Sequence, residues 1–206
     1  MEKEQKSAEE KLRDRALEYL NKTYEDSFEP ESYELGGWAY DWDTVRFIPK
    51  KYPEALVEVR VYRKEDGSYY FEDDYYNCYM YEEALEYYKD VFTKDVPVAV
   101  KMRFGGFILS DRLNGAKSFK EWRKVGEPCY AEVYYFTSVE LTEDEQTNIV
   151  ERIAGDKVAG RVTFFITNDE NLLVERELED IINYQEELTE MKTVFSIDYD
   201  YKIEME

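Results

Sequence analysis

The stretch SYYFEDDYYNCYMYEEALEYY, residues 68–88, changes its hydrophobic period partway along, and that change decides the fold class. Its first residues, SYYFE, place consecutive aromatic rings on opposite sides of an extended chain. From Tyr76 onward the apolar positions recur at three and four: Tyr76, Tyr79, Met80, Ala84, Tyr87, Tyr88 and Val91. That spacing is the face of an amphipathic helix. A strand therefore runs directly into a helix, and the acidic pair between them, Asp73 and Asp74, is placed to cap that helix. Eight tyrosines and six acidic side chains crowd the stretch. They are either an aromatic platform for a sugar or peptide, or rings packed on a sheet. Helical spacing favours packing, although Tyr69 and Tyr70 cannot both face inward.

Upstream, ALVEVRVYR alternates with Val57, Val59 and Val61 on one side, and Glu65-Asp66-Gly67 turns it back into SYYFE as a hairpin. SFEPESYEL and WAYDWDTVRFIP, separated by Gly36-Gly37, read as two earlier strands. Before them, Ser7 and Glu10 have the spacing of a capping box. Leu12, Ala16, Tyr19 and Leu20 follow on one helical face, so a first helix spans about Ala8 to Tyr24. VAVKMRF, after Pro97, is a further strand. This first part is expected to be a helix packed on a curled antiparallel sheet, in the order α-β-β-β-α-β with room for one more strand, cystatin-like in sequence of elements.

Downstream, residues 105–129 form a connector with a short helix opened by Ser118 and Glu121 and stopped at Gly126-Glu127-Pro128. CYAEVYYFTSV is a strand. Thr142 and Glu145 open a helix whose inner face is Ile149, Val150, Ile153 and Ala154, with Gly155 as its C-terminal cap. AGRVTFFIT is a strand and Asn168 to Asn171 a turn. ERELEDIINYQEEL is a helix turning Leu178, Ile181, Ile182 and Leu188 inward, and TVFSIDYDYKIEM a last strand with one acidic face. The fold class is α+β. Residues 1–104 form the helix-plus-antiparallel-sheet domain, and 130–206 a smaller β-α-β-α-β unit that extends the same sheet or stands apart.

Composition excludes whole classes of function. The net charge is −21, which repels nucleic acid phosphates. Arg112, Lys117, Lys120, Arg123 and Lys124 make the densest basic group, around Trp122. They either anchor the acidic body internally or meet an anionic wall polymer. The chain has no histidine, which removes the Ser-His-Asp triad, the Cys-His dyad and any histidine-bearing zinc site. Neither GxxxxGK[ST] nor GxGxxG occurs. Cys78 and Cys129 are bridged or are two buried thiols, the second being favoured. SIDYDYKIEME lacks the loop that wraps a calcium ion, so its carboxylates read as a wet strand face. FEDD could supply a carboxylate pair for glycoside hydrolysis, yet capping explains it more simply. No apolar run is long enough to span a bilayer.

Trp38 and Trp42, four apart after the double glycine, add to the exposed-aromatic candidates. The candidate ligand or partner surface is thus Trp38, Trp42, Tyr69, Tyr70 and Tyr75. No catalytic, cofactor-binding or metal-ligating residue is assigned.

Tyr19, Leu20, Tyr24 and Phe28, with Asp73, Asp74, Tyr75 and Tyr76, resemble a pattern in uncharacterised extracytoplasmic lipoproteins of Gram-positive, Clostridia-like bacteria. Lys22 lies one place before the family's lysine, and Glu25 replaces its glycine. The resemblance covers the N-terminal half and implies location: a surface-tethered domain with a lipid anchor upstream of residue 1. The polar stretch EKEQKSAEEK after Met1 is of the kind left where an anchor region has been cut away. The expected function is a non-enzymatic, envelope-associated domain that binds a protein or glycan at the cell surface. The alternatives are a cytoplasmic acidic inhibitor or immunity-type protein with a basic partner, and a carboxylate-based hydrolase.

Overall fold

The first helix starts where its capping box sets it. In the computed structural model, which describes residues 7–36, 40–92, 96–105, 113, 115–125, 129–167 and 192–206, α1 spans Ala8–Thr23. The Ser7 hydroxyl accepts the Glu10 N–H at 3.1 Å, and the Glu10 carboxylate accepts the Ser7 N–H at 2.7 Å. Two otherwise unpaired donors are satisfied reciprocally. Leu12, Ala16 and Leu20 then fall four apart on the buried face.

That face covers a four-stranded antiparallel sheet, order β1-β2-β3-β4. Its strands are β1 (Phe28–Glu34), β2 (Trp42–Pro49), β3 (Val57–Arg63) and β4 (Tyr69–Asp73). Alternation sends Val45, Phe47, Val57, Val59 and Val61 under α1, where they are all but fully buried together with Phe28 and Tyr75. The bulge in β1 between Pro30 and Ser32 breaks the ladder of an edge strand, which discourages pairing with another chain. Gly67 turns β3 into β4 with φ +82°, a conformation that L side chains rarely adopt.

The sheet has the extra strand for which the sequence left room, and α2 follows it over Tyr76–Val91. The next strand, β5 (Val98–Phe104), belongs elsewhere. It pairs antiparallel with β6 (Cys129–Thr137) in a separate five-stranded sheet, order β5-β6-β7-β8-β9. Grouping β5 with the first sheet from its place in the sequence therefore misassigned its partners. Strand pairing is a long-range property that proximity along the chain does not set. The two compact units divide inside α2, between Tyr79 and Met80.

In the second unit α4 (Glu143–Gly155) crosses over between β6 and β7 (Val158–Ile166), which pair in parallel. Its capping box at Thr142 and Glu145 is complete. The helix ends at Asp156, with Lys157 taking positive φ, so Gly155 is its last residue and not its cap. Gly160 is required where β7 meets β6: a Cβ there would lie 1.8 Å from the Ala131 carbonyl oxygen. The short α3 (Phe119–Val125) packs Phe119 and Trp122 against Phe104, and Tyr135 donates its hydroxyl to the Tyr88 carbonyl at 2.9 Å.

The acidic C-terminal stretch is not one strand. It folds as a hairpin of β8 (Lys192–Ile197) and β9 (Ile203–Met205). Asp198 Oδ1 accepts the N–H groups of both Asp200 and Lys202, and this local turn interrupts the alternation. The expected helix at 175–188, the turn at 168–171 and the 126–128 stop lie outside the described residues.

Candidate functional site

The outer face of the first sheet, opposite α1, is built by register. Trp42 lies across from Tyr62 and Tyr62 across from Tyr70. Ring centroids are 5.5 Å apart for Trp42–Tyr62 and 4.3 Å for the stacked Tyr62–Tyr70 pair. Cross-strand aromatic pairs of this kind stabilise a sheet by about 0.2–1 kcal/mol each. Cations cover the ladder from the side: Arg60 sits 4.9 Å from the Trp42 ring and Lys64 5.5 Å from that of Tyr70. The Tyr62 hydroxyl donates to Glu72 at 2.7 Å. Burial, with that carboxylate beside it, pushes the Tyr62 phenol up to about 12, so it stays a donor at neutral pH.

The next rows of the same face carry charge in balance. Arg46 lies opposite Glu58, and Thr44 opposite Arg60. Arg46 bonds Glu58 at 3.1 Å and reaches Glu34 at 3.5 Å, while Arg60 approaches Glu58 at 3.7 Å. Beside these pairs, a cavity of about 230 Å³ is walled by Trp42, Tyr40, Arg46, Arg60, Glu34 and Glu58. Tyr40 forms its lip, 58% exposed, with its ring 4.9 Å from Trp42 and inclined 44° to it. Gly36 closes the rim: its N–H donates to Asp43 at 2.9 Å, and a Cβ on it would meet the Trp42 carbonyl oxygen at 2.0 Å. At the other end of the ladder, a broad hollow of about 820 Å³ is bordered by Tyr62, Tyr70, Lys64 and Asp41.

The five residues singled out from sequence thus separate. Trp42 and Tyr70 share the outer face, joined by Tyr62. Tyr69 faces the other way, packed at the first core with the Arg15 guanidinium 4.1 Å from its ring. Tyr75 is no surface residue: it is 4% exposed, its ring 4.6 Å from Tyr24 and 5.1 Å from Phe28, its hydroxyl donating to Asp26 at 2.7 Å. It sits on the connection between β4 and α2, which turns its ring into the core. Trp38 lies outside the described residues. Sequence reasoning missed Tyr40, Tyr62, Arg46 and Arg60. The alternation of β3 marks Tyr62 and Arg60 as outward-facing, but only register brings them to Trp42.

The FEDD carboxylates do other work than capping. Asp73 is fully buried and accepts from the Tyr19 hydroxyl at 2.5 Å, the Tyr24 hydroxyl at 2.8 Å and the Tyr75 N–H at 3.0 Å. It ties α1 to the end of β4. Burial raises its pKa and those three donors oppose the rise. Asp74 accepts the Glu58 N–H at 2.8 Å, bonding β3 and not the first turn of α2. Burial pushes it up to about 7, against that bond, with the Asp73 and Glu58 charges adding to the rise. Closed within the core, Asp73 offers no face to a water or a glycosidic oxygen. Cys78 is a free thiol, half-buried, and burial followed by nearby Asp74 pushes it up to about 12, far from a reactive thiolate.

Of the basic group around Trp122, Arg123 anchors internally in the second unit, while Lys117, Lys120 and Lys124 are exposed and Arg112 lies outside the described residues. Arg123 bonds Asp156 at 3.1 Å and covers the Tyr87 ring at 4.0 Å, and Tyr87 donates to the same carboxylate at 2.9 Å. Among the described residues, no three Cys, Asp or Glu side chains gather as a metal site would require, and no helix is long and apolar enough to cross a membrane.

No protein-family model matches the chain, and no curated protein matches it. A crystal structure of a DUF5037 family protein from Ruminococcus gnavus is similar to it at 14% sequence identity, over 94% of this chain and 94% of that one, with a TM-score of 0.46.

Proposed function

We propose that the protein is a non-enzymatic, envelope-associated binding domain whose ligand surface is the outer face of the four-stranded sheet. The observation that carries this reading is the cavity beside the Trp42–Tyr62–Tyr70 ladder. Half-buried aromatic rings with a few fixed polar groups at a concave edge are what binding sites use for affinity and orientation. The buried, bonded state of Asp73 argues against the FEDD pair as a hydrolytic one. The sequence resemblance to surface lipoproteins supports an extracytoplasmic, lipid-anchored setting. A competing reading, a cytoplasmic acidic inhibitor or immunity-type protein, draws on the net charge of −21, which suits a basic partner.

Sedimentation with the purified envelope of the protein's own cells tests the proposal. The expected result is that the wild-type chain pellets with the envelope and the Trp42→Ala variant, matched in folding by circular dichroism, stays largely in the supernatant. Wild-type protein that remains soluble, or a variant that pellets equally well, removes the proposed surface.

A further inference from the structure

We infer that the cavity beside Trp42 takes a neutral sugar ring, as one unit of an oligosaccharide running across the Trp42–Tyr62–Tyr70 ladder. The inference rests on the binding role proposed above and names the ligand class.

Charge is the first argument. The wall holds two guanidiniums, Arg46 and Arg60, and two carboxylates, Glu34 and Glu58, already paired at 3.1–3.7 Å. An anionic ligand would have to displace a carboxylate from its arginine, and a cationic one would have to displace an arginine. A polyol does neither. Each hydroxyl donates to a carboxylate oxygen and accepts from a guanidinium N–H, so it joins the network while leaving the pairs intact. The chain's net charge of −21 further disfavours polyanions.

Shape is the second. The Tyr40 and Trp42 rings meet at 44° and form an open V, with Tyr40 58% exposed. An apolar C–H face of a pyranose lies against one wall while its equatorial hydroxyls reach the arginine–glutamate pairs. The cavity is small, about 230 Å³, and the hollow at the far end of the ladder is larger and open. One ring held beside Trp42 with neighbours extending past Tyr62 and Tyr70 fits that arrangement.

Strand position argues against an extended peptide. β2 and β3 are interior strands with their main-chain groups paired on both sides. Strand addition, the main-chain source of peptide affinity, would have to use the edge strands β1 or β4 and not the rows of Trp42 and Tyr62.

Isothermal titration calorimetry tests the inference with four neutral probes, chitohexaose, cellohexaose, xylohexaose and mannohexaose. Polygalacturonate and oligolysine serve as charged comparisons. The expected result is binding of at least one neutral oligosaccharide, with affinity unchanged between low and high salt. The Tyr40→Ala variant, whose side chain is mostly in solvent, should fold as wild type and bind about tenfold more weakly, the loss of one ring contact. Trp42→Ala should show the same or a larger loss. The inference is overturned if none of the four neutral probes binds, if only polygalacturonate binds and does so salt-sensitively, or if a neutral probe binds both variants as tightly as wild type. Oligolysine binding that Trp42→Ala abolishes would overturn the sugar assignment and leave the surface standing. If no probe binding and no envelope sedimentation responds to Trp42→Ala, both fall together.

Discussion

At the residue scale, Asp73 and Asp74 show how adjacent identical side chains acquire different tasks. β-Strand alternation turns Asp73 under α1, where two phenolic hydroxyls and a backbone N–H hold it. Asp74 is turned toward β3 and accepts one backbone N–H. Its pKa rises from 3.8 to about 7 because burial disfavours the charged form more than that bond favours it. A raised carboxylate binds its proton more tightly folded than unfolded. Its contribution to stability is therefore fully present below pH 3.8 and is lost as pH rises through about 7. Asp73 shifts the same way. Urea titrations across this window should show stability falling with rising pH, and Asp74→Asn should remove on the order of a few kcal/mol from that total fall. An unchanged slope in the variant would show that Asp74 is ionised throughout.

At the element scale, β6 and β7 depend on one missing side chain. They pair in parallel through residues 129–137 and 158–166, with Gly160 opposite Ala131. Gly160 has φ +152°, and a Cβ would collide with the backbone of Ala131. Neither the strained φ nor the rigid backbone can relax locally. Gly160→Ala should cost roughly 3 kcal/mol or more, read as a lowered denaturation midpoint with an unchanged m-value. A loss below that of an ordinary surface substitution would mean the two strands separate more easily than their register implies. The terminal hairpin teaches the complementary lesson. Alternation through residues 193–205 reads as one strand, yet Asp198 satisfies two turn N–H groups and reverses the chain. A short Asx-type turn is compatible with period-two alternation, so pattern alone does not reveal it.

At the scale of the whole molecule, charge dominates. Forty-eight acidic side chains face twenty-seven basic ones. Half of the ion pairs among the described residues have both partners exposed, and such pairs contribute little individually, about 0–1 kcal/mol each. The unbalanced remainder repels itself in the folded state more than in the expanded one. Raising ionic strength from well below to well above about 0.1 M, where the screening length is about 10 Å, should raise the melting temperature. A melting temperature that falls with salt would show that the native ion pairs outweigh the self-repulsion.

Much was legible in local pattern. The capping boxes at Ser7 and Thr142, the change of period after Asp73, the outward alternation of β3 and the exclusion of histidine chemistry all follow from neighbouring residues, because helix caps and side-chain periods are local physics. Which strands share a sheet was not legible. β5 pairs with β6 across the whole of α3, and nothing within VAVKMRF names that partner. The candidate site divides the same way. Trp42 and Tyr70 stood out as aromatics by type, while Tyr75 was buried by the turn into α2 and Tyr69 by the face it occupies. Tyr40, Tyr62, Arg46 and Arg60 became a site only when antiparallel register set them beside Trp42, since contact across strands is decided by the packing of the whole sheet and not by any one segment.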